Sequence, residues 1–277
     1  MVHHEEGFLD VDGARLWTED DVPTGARAHV LILHGYADHL GRYRDFRDAL
    51  IAEGFGVHAY DQRGHGRTPG PRGHVRRFTD YLDDFDRCLA RMRSQAGNAR
   101  AFVVGHSHGG LEALAALQRR GTPLVDGLLL SAPYLALAFE PPAWKVALAR
   151  VLQGILPALR LPLDLDLSLL SRDDGWVRST AADPLYNRVG TPRWLVECTR
   201  MQADVLRRGA GIQCPVLLLL GGDDRIASGA TSRRFFDTLG TTDRTLREYP
   251  MMRHEILNEL GKEEVYRDIC RWISEHL

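Results

Sequence analysis

Lysine is nearly missing from this 277-residue chain: Lys145 and Lys262 stand alone among 35 basic side chains, the rest being arginine. An excess of either charge is missing as well. Thirty-seven acidic against 35 basic residues give a formal net charge of −2, which excludes the basic footprint of a nucleic-acid binder. A hydrophobic content of 44% excludes an acidic disordered chain. Cysteine is scarce. Cys88, Cys198, Cys214 and Cys270 form no C-x-x-C pair and no Cys/His spacing of a zinc site. No metal and no cofactor is therefore expected, and the four thiols are expected to be free, buried and in a reducing compartment. No apolar run approaches the roughly 18–20 residues of a membrane span. The opening Met1-Val2-His3-His4-Glu5-Glu6 lacks the basic start and apolar run of a secretory signal. The expectation is a soluble cytoplasmic protein, long enough to bury a core without disulfide or metal staples.

What is present is an alternation. Two short runs flank Asp12-Gly13, a hairpin signal. His29-Val30-Leu31-Ile32-Leu33, Gly56-Val57-His58-Ala59-Tyr60, Ala101-Phe102-Val103-Val104, Leu128-Leu129-Leu130, Pro215 through Leu220 and Thr245 through Tyr249 read as strands. Continuous apolar runs suit strands covered on both faces, as in parallel sheets. Between them, residues 79–94, with Thr79 as N-cap, residues 111–118, closed by Gly121 and Pro123, and residues 265–276 read as helices. Strand–helix alternation predicts an α/β fold with a mostly parallel central sheet flanked by helices. Residues 136–200 break the rhythm with six prolines and an apolar helix over 144–156. They are expected to form a helical insertion, a cap over one end of the sheet, with 1–135 and 201–277 as the two parts of the core. A plain helical layer of the core is the alternative.

The chemistry concentrates in Gly105-His106-Ser107-His108-Gly109-Gly110, which follows a buried strand and precedes a helix. G-x-S-x-G at that junction is a nucleophile elbow. The turn is so tight that flanking side chains would clash, hence the glycines, and it holds the Ser107 hydroxyl at a helix N-terminus. A serine hydroxyl needs a histidine base, and the histidine needs a carboxylate to hold its tautomer. The chain order for this arrangement is Ser, acid, His. The acid is then Asp223 or Asp224, after the strand ending at Gly221. The base is His254, since only His276, next to the C-terminus, also follows. An oxyanion hole takes two backbone N–H donors. His108, after the nucleophile, and Tyr36, in the loop after the early strand, are assigned to it. His34, His65 and His106 read as structural imidazoles near these loops. Asp38 and His39 follow the oxyanion loop and are placed to order it.

These residues resemble the monoacylglycerol lipase / lysophospholipase group of serine α/β-hydrolases. The matching pieces are His34-Gly35 with Gly41-Arg42-Tyr43, Asp61-Gln62-Arg63-Gly64-His65-Gly66, the elbow, and Ser131-Ala132-Pro133. Leu170-Ser171-Arg172, Asp183-Pro184-Leu185, Leu220-Gly221-Gly222-Asp223-Asp224-Arg225 and Tyr249-Pro250 leading to His254-Glu255 complete them. Carried over by position, the resemblance implies an α/β-hydrolase fold with an inserted cap. It also implies a Ser107–Asp224–His254 triad, with Asp224 rather than Asp223 as the acid, and Tyr36 and His108 as oxyanion donors. The implied activity is hydrolysis of monoacylglycerols or related single-chain lipid esters, the lipid ester being the one partner. In this group the cap has an apolar surface that meets membranes. Trp144, Val146, Leu148, Val151, Leu152 and Ile155 would supply it here, unless that helix is simply buried against the core.

Two positions depart from the group. His108 stands where Met is usual, and Tyr36 where a small residue is common. Together they predict a narrowed acyl pocket with a polar ring beside it. They leave open a short-chain carboxylesterase, lysophospholipase or thioesterase with the same triad. More remote is a non-catalytic binding protein on a hydrolase scaffold.

Overall fold

The computed structural model describes residues 1–120, 124–163 and 165–277. Strands β1 (Val2–Val11) and β2 (Ala14–Pro23) pair antiparallel about Asp12-Gly13. Gly13 takes φ +75° there, a turn conformation that a Cβ disfavours. Strands and helices then alternate: β3 (Ala28–Leu33), α1 (Arg44–Ala52), β4 (Gly56–Tyr60), α2 (Phe78–Ala96), β5 (Arg100–His106), α3 (His108–Arg120) and β6 (Gly127–Ser131). Next come α4 (Ala143–Ile155), β7 (Leu161–Pro162), α5 (Asp174–Ala182), β8 (Val189–Gly190) and α6 (Pro192–Arg207). The chain closes with β9 (Val216–Gly221), α7 (Gly229–Asp237), β10 (Arg244–Tyr249) and α8 (Lys262–Glu275).

Eight strands form one sheet in the order β1-β2-β4-β3-β5-β6-β9-β10. Seven of them run one way and β2 alone runs the other. The apolar runs of β3, β4, β5, β6 and β9 are continuous because these inner strands have two dry faces, whereas the edge strands β1 and β10 are largely exposed. Leu31, Leu33, Val103, Leu128 and Leu218 point into a core shared with α2, α3 and α6. Val30, Ile32, Val104, Leu129 and Leu217 point into a second core with α1 and α8. All four cysteines are buried and unpaired.

One local expectation changes. Thr79 does not cap α2. The helix begins at Phe78, with Arg77 as the extended cap residue. The Phe78 N–H donates to the Glu197 carboxylate of α6 at 2.9 Å. A tertiary partner thus satisfies one of the helix-end donors that have no intrahelical acceptor. The expected stop at Gly121 and Pro123 lies outside the described residues. Helix α4 is not buried against the core: of its residues only Ala149 is buried, although it packs beside α6. Helix α6 runs through residue 200, the expected end of the insertion, and carries Cys198 and Val205 into the first core. Among the described residues no helix is long and apolar enough to cross a membrane.

Candidate active site

Between β5 and α3 the chain turns at Ser107, which takes φ +50°, a left-handed conformation costly for a residue with a side chain. Its neighbours hold it there. The Ser107 N–H donates to the Ser131 carbonyl at 2.9 Å, and its carbonyl accepts from the Tyr134 N–H at 2.9 Å. The elbow glycines have a steric reason. A Cβ on Gly105 would lie 2.6 Å from the Gly109 carbonyl oxygen, and one on Gly109 would lie 2.4 Å from that of Leu33.

The loops after β9 and β10 bring the other two residues to Ser107. His254 Nε2 lies 2.9 Å from Ser107 Oγ, and His254 Nδ1 lies 2.8 Å from Asp224 Oδ2. The other Asp224 oxygen accepts from the N–H groups of Ile226 and Ala227 at 2.8 and 2.9 Å. With Asp224 accepting at Nδ1–H, Nε2 is left free to take a proton from the hydroxyl. Burial disfavours a charged His254, but the charge and hydrogen bond of Asp224 outweigh it and hold the imidazole above its ordinary value. Burial likewise opposes the Asp224 carboxylate, but His254 and the two N–H donors hold it below the usual range. Asp223 points away, toward Arg225 at 3.0 Å and Arg253 at 3.5 Å.

Tyr36 and His108 flank Ser107 from two elements, the loop after β3 and the first residue of α3. Among the described residues, neither of their N–H groups is taken by a backbone carbonyl. The two departing side chains do not do what the sequence suggests. The ring of His108 is fully buried and does not reach the cavity beside Ser107. The ring of Tyr36 lies flat on Trp194, 3.6 Å between centroids at 24°, so it forms a wall of that cavity rather than a plug. His34, His65 and His106 are hydrogen-bonded in place. The ring of His34 meets Gly35 and Gln62, that of His65 the Arg63 carbonyl, and that of His106 Ser131 and Glu255.

The cavity has a volume of about 310 Å³. Ser107, His254 and Glu255 stand at its polar end, and Leu137, Phe139, Leu163, Leu170 and Ile226 line the rest. Burial acts against the Glu255 carboxylate, but His106 at 3.0 Å outweighs it and holds the group below its ordinary range. Neither Glu255 nor Trp194 stands out in the sequence as a functional residue. Adjacency to His254 was the one available signal for the first. The second sits in the proline-rich insertion with no motif around it.

Residues 24–261 match the family described as serine aminopeptidase, S33 (Hydrolase_4). A monoacylglycerol lipase of Mycolicibacterium smegmatis is 31% identical, over 99% of this chain and 98% of the relative. The crystal structure of a monoacylglycerol lipase from Paleococcus ferrophilus superposes with a TM-score of 0.86 at 33% identity, covering 95% of this chain and 99% of that one. A soluble variant of the Saccharomyces cerevisiae monoglyceride lipase, solved with a substrate analog, gives 0.85 at 25% identity, covering 99% and 96%. The chain belongs to the serine aminopeptidase, S33 family and is a monoacylglycerol lipase-like serine hydrolase of the α/β-hydrolase fold.

Proposed function

We propose that this enzyme hydrolyses monoacylglycerols or related single-chain lipid esters through an acyl-enzyme on Ser107. The observation that carries the reading is the hydrogen-bonded run Asp224–His254–Ser107 opening onto an apolar cavity. Ser107 Oγ attacks the ester carbonyl while His254 Nε2 takes its proton. The N–H groups of Tyr36 and His108 hold the tetrahedral oxyanion, and Asp224 stabilises the imidazolium. The C–O bond to the alcohol then breaks, and His254 returns the proton to the departing oxygen. Water, deprotonated by His254, attacks the acyl carbonyl, and Ser107 leaves with its proton restored. The acyl chain lies along the leucine-lined cavity, shielded from water.

Fatty-acid release across a monoacylglycerol chain-length series tests this, with lysophosphatidylcholine and a short p-nitrophenyl ester alongside. Turnover that rises with acyl length is expected, since each buried methylene adds about 0.8 kcal/mol. Turnover confined to the short ester would overturn the lipid assignment and favour a short-chain esterase with the same triad.

The insertion, residues 136–200, acts as the cap in this reading. Trp144, Leu148, Val151 and Ile155 follow one face of α4 and lie 64%, 47%, 59% and 70% exposed. An apolar face of this kind suits transient contact with a lipid surface. Phe139 and Pro141, which precede α4, also line the cavity, so that face adjoins its entrance. Four unpaired buried thiols support a cytoplasmic location for the enzyme.

A further inference from the structure

The two oxyanion donors belong to separate elements, and their N–H vectors must converge on one point. The side chain of Trp194 touches both residues. Trp194, near the start of α6 and buried, stacks on the ring of Tyr36. Its indole Nε1–H lies 3.4 Å from His108 Nε2. An indole only donates, so Nε2 accepts and the His108 proton sits on Nδ1, 2.9 Å from Gln62 Oε1. The Gln62 side-chain amide donates to the His34 carbonyl at 2.6 Å, and its backbone N–H donates to His34 Nε2 at 2.9 Å. That leaves the His34 proton on Nδ1, which donates to the Gly35 carbonyl at 2.7 Å.

The end of this relay matters. The Gly35 carbonyl and the Tyr36 N–H belong to one planar trans peptide. Gripping the carbonyl therefore aims the N–H. The Tyr36 side chain is held at its far end too, its hydroxyl 3.1 Å from the Gly73 carbonyl and 3.0 Å from that of Val189. Gly73 permits this approach: at φ +61°, a Cβ there would lie 2.6 Å from the hydroxyl.

We propose that Trp194 is a positioning residue that sets both donors of the oxyanion hole, Tyr36 by stacking and His108 by hydrogen bond, with the relay through Gln62 and His34 tying the two together. The inference rests on the acyl-enzyme reading above. The relay works only with neutral imidazoles, and burial supports that, pushing His108 down to about 3 and His34 well below its ordinary value.

The test compares Trp194→Phe, which keeps the stack and loses the donor, with Trp194→Leu, which loses both. Turnover of a monoacylglycerol is measured together with inhibition by a trifluoromethyl ketone of matched chain length, whose adduct places an oxyanion in the hole. The expected result for Trp194→Phe is a fall in kcat of about 10-fold with little change in KM. Trp194→Leu should approach the roughly 10²-fold loss of a misplaced or missing donor. Ketone affinity should fall by the same factor as kcat/KM, which a merely structural role would not produce. In a His108→Met background the Trp194→Phe change should have no further effect on kcat. Wild-type kcat and ketone affinity in folded Trp194→Phe overturn the proposal, whatever Trp194→Leu does. Failure of the underlying reading looks different: the wild-type protein would neither turn over ester nor label at Ser107 with a fluorophosphonate.

Discussion

Arg42 and Asp183 form an ion pair at 3.2 Å across 141 residues of sequence. Arg42 also meets Asp38 at 3.2 Å and lies over the Trp176 ring, while His39 reaches the same Asp183 oxygen at 2.9 Å. The Gly41-Arg42-Tyr43 and Asp183-Pro184-Leu185 pieces, far apart in the chain, are two halves of one joint. It fastens the loop that carries Tyr36 to the end of α5 in the insertion. Arg42 is 7% exposed as a side chain, Asp38 2% and Asp183 19%.

Breaking that joint from the Arg42 side leaves Asp183 with His39 alone, and leaves Asp38, which burial already pushes up to about 7, without its cation. Arg42→Met should cost about 3–5 kcal/mol in urea unfolding, the range for removing one partner of a buried pair. Asp183→Asn should cost less, because Arg42 keeps Asp38. A loss below about 1 kcal/mol for Arg42→Met would reduce the joint to the worth of a surface pair.

The two neighbouring aspartates should separate cleanly. Asp224→Asn should lower kcat by about 10⁴-fold, the scale for a wrong histidine tautomer. Asp223→Asn, whose carboxylate faces Arg225 and Arg253, should stay near the wild-type rate. Steady-state kinetics on one ester decide it, and comparable losses in both variants would unseat Asp224.

His254 must be neutral to act as a base, so activity is lost as pH falls through its pKa. That pKa is raised above the ordinary 6.5. The acid limb of kcat/KM, which reports the free enzyme, should therefore have its midpoint above 6.5. In Asp224→Asn the larger attraction that raises it is gone and only that of Glu255 is left, while the burial that lowers it remains, so the limb of the residual activity should move to lower pH. A wild-type midpoint at or below the ordinary value contradicts the assignment.

The outer face of α4 should matter only at a lipid surface. Val151→Asp removes one apolar contact and should weaken sedimentation with phosphatidylglycerol–phosphatidylcholine vesicles by about 10-fold, from roughly 1.5 kcal/mol of lost burial. Cleavage of a water-soluble short ester should be unaffected. Unchanged vesicle binding would mean that this face does not meet the lipid.

The strands and the elbow are legible in the sequence because their causes are local. A run such as Val30-Leu31-Ile32-Leu33 has no polar residue to offer a solvent face, so it belongs between two layers. Gly105 and Gly109 are required by atoms a few residues away or on the next strand. His254 follows from the small number of histidines late in the chain. Thr79 misleads for the opposite reason: the helix begins before it, at Phe78, whose N–H is taken by Glu197, brought in from α6.

The amino-acid sequence by itself determined the layered α/β arrangement, the strained serine at a helix N-terminus, and a short list of bases and acids to serve it. These depend on side-chain sterics and hydrophobic periodicity, which act over a few residues. Tertiary structure brought Asp224, which the resemblance already picks over Asp223, against His254, and it alone decided that His108 is buried beneath Trp194 rather than exposed to the cavity. It also decided that the apolar face of α4 remains uncovered. Each of those outcomes depends on which loops converge at the carboxyl ends of the parallel strands. Convergence is set by the packing of distant elements, and no spacing along the chain records it.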